Sequence, residues 1–180
     1  MSYHVMLDIE TLGTNNKSPI LSIGACEFDF ETGVKSKNTF HTKIDVACYD
    51  NLKQAFEMDY GTLKWWSKQS NFQNVMNGQV TLHEALLALK VWFEQFDVNK
   101  VQVWSQGPDF DFPITKHAFG VFKMAIPWKY YNQRDTRTLY SIAPGFKRSV
   151  HEGTMHDALE DCIHQVSEAC QAFKLIHQKT

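Results

Sequence analysis

The first apolar segment of the chain, residues 3–10, alternates between apolar and polar positions with a period of two. Successive side chains of a β-strand point to opposite faces, so this period predicts a strand with one side turned to the core. That side carries Tyr3, Val5, Leu7 and Ile9, and the opposite side carries His4, Met6, Asp8 and Glu10. The strand therefore presents two neighbouring carboxylates at its end.

Three further segments have the composition of strands. Residues 19–28 are rich in Ile, Leu and Cys, and residues 34–44 follow them after a loop at residues 29–33. This arrangement predicts a hairpin. The segment VQVWS, residues 101–105, predicts a brief fourth strand.

Helical spacing dominates the rest of the chain. Thr81 and Glu84 form a capping box before an amphipathic helix. In the last helix, apolar and small residues recur at helical spacing between residues 158 and 173. These are the two clearest helices in the sequence.

Shorter helices are predicted at residues 59–70, 112–122 and 135–142, with Pro113 in the first turn of the second. An early meander of strands followed by alternating helices and strands indicates an α/β fold. The predicted architecture is a mixed β-sheet flanked by α-helices.

The composition fits one domain that spans residues 1–180. The chain has 180 residues, 43% of them hydrophobic, including 13 Phe and 5 Trp, which is enough apolar material for one dense core. No segment approaches the roughly 18 uncharged apolar residues that a membrane span requires. We therefore expect no contact with a membrane.

The 4 cysteines form no CxxC pair and are interpreted as free thiols, which predicts a reducing, cytoplasmic location. The formal net charge of −2 does not by itself suggest a polyanionic partner. Two bound divalent cations would change it to about +2, so the net charge excludes no class of function.

Asp8 and Glu10 lie two residues apart on a predicted strand, so both carboxylates share one face. Burying two like charges without a cation costs several kcal/mol, and hard oxygen ligands suit Mg²⁺ or Mn²⁺. The alternative is a strand end with two acids in solvent. The pair alone does not decide between them.

A second group of acids follows the predicted strand at residues 101–105, in the segment GPDFDFPI. Asp109 and Asp111 both stand where the next helix opens. Asp111 has two interpretations, a metal ligand or a helix N-cap.

The third group is HDALED, residues 156–161. Five residues along one helix would turn His156 and Asp161 about 140° apart, which prevents them from sharing a site. If Asp157 is the N-cap, His156 lies outside the helix and Asp161 falls in its first turn. A helix start at Thr154 is the competing assignment.

These three groups, in this order, resemble a known family. DIETLG near the start, FD after the fourth strand, and H-x-x-x-x-D at the last helix are similar to the three motifs of the DnaQ-like, DEDDh 3′–5′ exonucleases of the RNase H-like superfamily. KWWSKQS (residues 64–70) and YNQRDTRT (residues 131–138) resemble its bacteriophage-type and Rv2179c-like branch. Many relatives have Asn three residues before the Phe of the second motif, where this chain has Gly107.

The resemblance implies a role for each motif residue. The expected ligands of two Mg²⁺ or Mn²⁺ ions are Asp8, Glu10, Asp111 and Asp161, and His156 is the expected general base. The residues expected to contact the terminal nucleotide are Thr11, Leu12, Gly13, Trp66, Phe110 and Arg134.

Two of the substrate-contact assignments carry alternatives. Adjacent helical residues point about 100° apart, so at least one of Trp65 and Trp66 belongs to the core, and Trp66 is the one assigned to the substrate. Arg134 is assigned to a phosphate, with a structural role equally open.

The implied activity is hydrolysis of phosphodiester bonds at the 3′ end of single-stranded nucleic acid, releasing nucleoside 5′-monophosphates. The phage-type resemblance favours DNA, and the Rv2179c-like resemblance keeps an exoribonuclease open. An RNase H-like endonuclease shares the acids but does not explain the H-x-x-x-x-D motif. A catalytically inactive nucleic-acid-binding domain does not explain a complete set of acids. The sequence leaves a homodimer open.

Overall fold

The structure is a computed structural model that describes residues 3–150 and 155–178, with the backbone alone for residues 35–37. Its five strands form one sheet in the order β3-β2-β1-β4-β5. The strands are β1 (Tyr3–Thr11), β2 (Ile20–Asp29), β3 (Gly33–Lys43), β4 (Val101–Ser105) and β5 (Gln133–Asp135). The first three pair antiparallel, and β1, β4 and β5 pair parallel, so the sheet is mixed as predicted.

Six α-helices flank this sheet. They are α1 (Tyr60–Trp66), α2 (Phe72–Met76), α3 (Leu82–Phe93), α4 (Pro108–Val121), α5 (Thr136–Ile142) and α6 (Ala158–His177). Two 3₁₀ helices occupy Val46–Asn51 and Tyr130–Asn132. Among the described residues, no helix is both long and apolar enough to cross a bilayer.

The alternation of β1 divides the core into two layers. Val5, Leu7 and Ile9 pack in a cluster with α3 and α4 on one face of the sheet. Met6 packs in a second cluster with Cys162 and other residues of α6 on the opposite face. Asp8 and Glu10 continue the Met6 side of the strand, so they lie on the face that α6 covers.

Several predicted helix starts are confirmed. The Thr81–Glu84 capping box is present at α3. Asp135 caps α5, and Asp157 caps α6 by accepting hydrogen bonds from the N–H groups of residues 159 and 160. Thr154, the competing start, lies outside the described residues. Strand β5, helix α2 and the two 3₁₀ helices were not predicted, because each is too short to establish a period.

The start of α4 was predicted four residues too late. The helix begins at Pro108, directly after Gly107, whose φ of 128° turns the chain sharply out of β4. Pro113 therefore lies inside the helix rather than in its first turn. The shift brings Asp111 into the first turn of α4.

Gly24 on β2 allows α6 to lie directly on the sheet. A Cβ atom at this position would overlap the backbone carbonyl of Ala158, the first residue of α6. Gly24 is the register partner of Asp8 across the β1–β2 ladder. The close approach therefore holds the start of α6 beside the carboxylates of β1.

We expect Gly24→Ala to destabilise the protein by about 1 to 3 kcal/mol, because the added methyl group meets backbone atoms that have no room to move. Gly120→Ala is the matched control, since a Cβ there meets nothing within 4 Å and the residue is an exposed helical position. That change should stabilise by about 0.5 to 1 kcal/mol. Urea unfolding of both variants measures the difference, and equal free energies of unfolding would contradict the close approach.

Candidate active site

The predicted acids and the predicted base line one cavity of about 260 Å³. The cavity lies where the end of β1 meets the first turns of α4 and α6. Its lining is Asp8, Ile9, Glu10, Gln106, Phe110, Asp111, Arg148, His156, Asp161, His164 and Gln165. Side chains up to 157 residues apart in the chain thus face a common space.

Asp111 is held against the central strand. Its Oδ1 accepts a hydrogen bond of 3.3 Å from the backbone N–H of Ile9, and only 3% of the residue is exposed. The N-cap of α4 is Gly107, so the N-cap interpretation of Asp111 is wrong. The carboxylate instead lies between α4 and the strand that carries Asp8 and Glu10.

His156 lies outside α6, as the Asp157 cap requires. Its φ of 60° places the backbone in the left-handed region, which turns the chain immediately before the helix. Asp161 lies in the first turn of α6. The ligand atoms of Glu10, His156 and Asp161 all lie within 4.8 Å of one another.

Gln165 and Arg148 belong to the cavity but were not predicted. The Nε2 of Gln165 donates a hydrogen bond of 2.8 Å to Oδ1 of Asp8. Gln165 lies four residues after Asp161 on α6, so helical spacing could have indicated it. Arg148 donates from Nε to the buried carboxylate of Glu168, at 3.0 Å to Oε1 and 2.8 Å to Oε2, a contact that local spacing does not reveal.

A second cavity, of about 440 Å³, adjoins the first. It is lined by Glu10, Thr11, Gly13, Thr14, Asp59, Gly61, Thr62, Trp65 and Phe110. Glu10 and Phe110 line both cavities and therefore lie at their boundary. Thr11, Gly13 and Phe110 are where the sequence placed contacts to a terminal nucleotide.

A family profile described as "3′–5′ exoribonuclease Rv2179c-like domain" matches residues 3–172, which is nearly the whole chain. The chain belongs to this family. A curated relative, the exodeoxyribonuclease of Enterobacteria phage T4, is 23% identical over 202 residues, covering 91% of this chain and 86% of the relative.

Solved structures share the fold of this Rv2179c-like domain. Cell-death related nuclease 4 (CRN-4) matches with a TM-score of 0.68 at 9% identity, over 97% of this chain and 64% of that one. Exonuclease I of E. coli, in complex with a 5cy-dA13 oligonucleotide, matches with a TM-score of 0.67 at 15% identity, over 100% of this chain and 41% of that one. The domain thus spans less than two thirds of either solved chain. The predicted RNase H-like fold and DnaQ-like family are confirmed, and the domain is one of a 3′–5′ exonuclease family.

Three substrate-contact predictions for this Rv2179c-like domain need correction. Trp66 is 1% exposed, and its Nε1 donates a hydrogen bond of 2.8 Å to the carbonyl of Thr11, so it belongs to the core. The ring that lines the second cavity is that of Trp65, which is 42% exposed. Leu12 is also wrong as a wedge against a base, because it is buried in a core cluster with Trp66.

The third correction concerns Arg134. Its guanidinium donates to the backbone carbonyls of Tyr131 and Gln133, both at 2.8 Å, and it does not line either cavity. Arg137 is the arginine near the site. Its guanidinium lies close to Gly107, and its positive charge partly offsets the burial of Asp111. An Asn at position 107, as in many relatives, would need room beside this guanidinium.

The clustered carboxylates hold protons tightly when no cation is bound. Burial raises the pKa of Asp8 well above its ordinary range, and the charges of Asp111, Glu10 and Asp161 add to the shift. Burial likewise raises the pKa of Glu10 to about 9, with Asp161 again contributing. Burial raises the pKa of Asp111 to about 7, although the hydrogen bond from Ile9 opposes it.

The donor set fits divalent cations. Carboxylate oxygens are the ligands that Mg²⁺ and Mn²⁺ prefer, and four carboxylates line this one cavity. Their raised pKa values reflect negative charge that the surrounding protein does not balance. Bound cations would supply that balance in place of protons.

Mn²⁺ is expected to stabilise the protein more strongly as the pH rises. In EDTA, the native state holds a proton on Glu10 up to about pH 9, whereas the unfolded chain releases it near a pKa of about 4.3, so stability falls as the pH rises between them. Mn²⁺ replaces these protons. Its effect on Tm should therefore grow from pH 6 to pH 8 and reach roughly 5 to 10 °C at saturating metal.

Asp111→Asn tests the same cluster. The asparagine can still accept from Ile9, but it removes one negative charge, so the variant should unfold at or above the wild-type Tm in EDTA at pH 8. It should also lose at least half of the Mn²⁺ shift. Asp109→Asn, an exposed acid two residues earlier on α4, should keep the full shift. A full shift in Asp111→Asn, or a shift independent of pH, would contradict a metal site here.

Proposed function

We propose that the protein is a two-metal-ion 3′–5′ exonuclease that hydrolyses phosphodiester bonds at the 3′ end of single-stranded nucleic acid and releases nucleoside 5′-monophosphates. The observation that carries this proposal is the meeting of Asp8, Glu10, Asp111, Asp161 and His156 in one cavity beside a second cavity that can hold a nucleotide. The family assignment supports the direction of hydrolysis.

The carboxylates would hold two Mg²⁺ or Mn²⁺ ions. When bound, such ions stabilise the charge on the entering and leaving oxygens of an in-line displacement at phosphorus. Within the protein, Gln165 fixes the orientation of Asp8, and the backbone N–H of Ile9 fixes that of Asp111. Rigid placement of these acids limits the reorganisation that the reaction requires.

His156 would act as the general base. Its imidazole takes a proton from the attacking water as the water oxygen bonds to phosphorus and the bond from phosphorus to the 3′-oxygen breaks. The 3′-oxygen remains on the shortened strand, and the phosphate leaves with the terminal nucleoside. The proximity of His156 to Glu10 and Asp161 supports this role.

The second cavity would hold the terminal nucleotide. Trp65 and Phe110 supply aromatic surface for its base, and stacking binds all four bases without reading their sequence. Thr11 and Gly13 lie at the end of β1, where the backbone can meet the sugar. Because Glu10 and Phe110 line both cavities, a nucleotide in the second would place its phosphate towards the first.

DNA is the favoured substrate, since the exodeoxyribonuclease of phage T4 aligns with 91% of this chain and 86% of its own length. An exoribonuclease is the second candidate, and the description of the matching family favours it. Discrimination depends on contacts to the 2′-hydroxyl of the terminal sugar.

His156→Ala is expected to lower kcat by roughly 10² to 10⁴-fold while the fold is retained, because a general base contributes about that much. The assay follows 5′-labelled single-stranded DNA and RNA with Mg²⁺, Mn²⁺ or EDTA. A descending ladder in the wild type supports an exonuclease and identifies the preferred sugar. His83→Ala, a histidine outside both cavities, should keep wild-type turnover.

The same gel separates the alternatives. Internal cuts would indicate an endonuclease, and intact substrate with every metal would indicate a binding domain. Wild-type turnover in His156→Ala would remove this residue from the mechanism.

Trp65→Ala should raise KM for single-stranded substrates by roughly 5 to 100-fold, because stacking on an aromatic ring contributes about 1 to 3 kcal/mol per base. Trp65→Phe should restore most of the affinity. Tyr60→Ala removes another exposed ring from the same helix, outside the cavity lining, and should leave KM unchanged. Steady-state kinetics on short oligonucleotides distinguish these outcomes, and an unchanged KM in Trp65→Ala would exclude stacking on this ring.

A further inference from the structure

Asn71 is a helix N-cap whose side chain does not cap its helix. It precedes α2, and its side chain makes no hydrogen bond to the backbone of that helix. The residue is nevertheless 8% exposed, so its amide group is turned inward. A buried amide has to find partners elsewhere, and its partners indicate what it does.

Those partners lie in the segment that carries the candidate base. The Nδ2 of Asn71 donates to the carbonyl of Met155 at 3.0 Å and to the carbonyl of His156 at 2.8 Å. The two donors of one amide group thus bind two consecutive carbonyls, 84 and 85 residues away in the chain. A hydroxyl or a carboxylate cannot make this pair of bonds.

The backbone at this point needs an external support. His156 has a φ of 60°, a conformation that a residue with a side chain rarely adopts without surrounding contacts to hold it. The orientation of the two carbonyls fixes the turn before α6. That turn in turn sets the direction in which the His156 side chain leaves the backbone.

We propose that Asn71 is a positioning residue for His156. This inference rests on the proposed role of His156 as the general base. Through its two hydrogen bonds, Asn71 holds the left-handed turn that directs the imidazole to Glu10 and Asp161. Asn71 itself lines neither cavity, so it acts on the reaction only through His156.

A contact from the neighbouring helix supports the same conclusion. The ring of Trp65 on α1 meets the His156 ring edge to face, with centroids 4.7 Å apart. Asn71 therefore sets the backbone of His156, and Trp65 restricts its side chain. Both supports come from residues 60–76, the α1–α2 segment that also forms a wall of the second cavity.

Asn71→Asp is the decisive variant. Aspartate has nearly the same shape and is an equally good N-cap, so α2 keeps its start, but its side chain has no N–H to donate. We expect kcat to fall roughly 10 to 100-fold because a base that is no longer held in place loses much of its advantage. KM should stay within about 2-fold, since Asn71 does not line the nucleotide cavity.

Two further variants guard this result. Asn71→Ser keeps a neutral N-cap but is too short to reach the carbonyls, and it should show the same loss of kcat without added charge. Asn74→Asp makes the identical change at an exposed position of α2, where the side chain accepts from Lys43 and an aspartate still can. It should retain wild-type kcat. The Mn²⁺ shift in Tm should be the same in all of these proteins.

A double variant separates positioning from general stability. Once His156 is alanine, adding Asn71→Asp should lower kcat by less than about 2-fold more, because a residue that acts through His156 has nothing left to position. A further loss as large as in the single variant would overturn the inference. Wild-type kcat in Asn71→Asp would overturn it as well.

The imidazole resonances in NMR spectra report on His156 without turnover, with the His156→Ala variant assigning its signal. The His156 signal should move in Asn71→Asp and Asn71→Ser and should not move in Asn74→Asp. An unmoved signal in the Asn71 variants counts against the positioning role. A wild-type protein that degrades no substrate while the signal still moves would count against the proposed function alone.

Discussion

Mutual repulsion among buried carboxylates is the constraint around which this domain is organised. Asp8, Glu10, Asp111 and Asp161 face one small cavity, and burial together with their shared charge favours the protonated forms. Such a cluster opposes folding unless cations or protons neutralise it. The fold must therefore hold the acids together by means other than their own attraction, and it does so through backbone contacts.

Each acid is held by regular structure rather than by a flexible loop. The pleat of β1 aligns Asp8 with Glu10, and the backbone N–H of Ile9 binds Asp111. The missing side chain of Gly24 lets α6 approach the sheet, which brings Asp161 to the same place. Strands and capped helices resist the small displacements that repulsion would otherwise cause, and precise placement of charged groups is what hydrolysis at phosphorus needs.

The sequence was informative wherever a local rule applied. The period of β1 paired Asp8 with Glu10, and the Asp157 cap separated His156 from α6. It failed where the decision belonged to distant contacts. Trp66 was preferred over Trp65 because no local pattern reveals its bond to Thr11, 55 residues away. Asn71, Arg148 and Leu12 were missed or misassigned for the same reason: their partners lie on other elements.

The segment from α1 to α2 connects end recognition to chemistry. Trp65 lines the nucleotide cavity and also packs against His156, while Trp66 binds the carbonyl of Thr11 in the wall of that cavity. The acids, by contrast, belong to the sheet, α4 and α6. The site is thus assembled from two independent bodies, one that carries the charge and one that carries both the base and the stacking ring. Because the nucleotide cavity and the base share a support, a displaced α1–α2 segment would disturb substrate binding and proton transfer together.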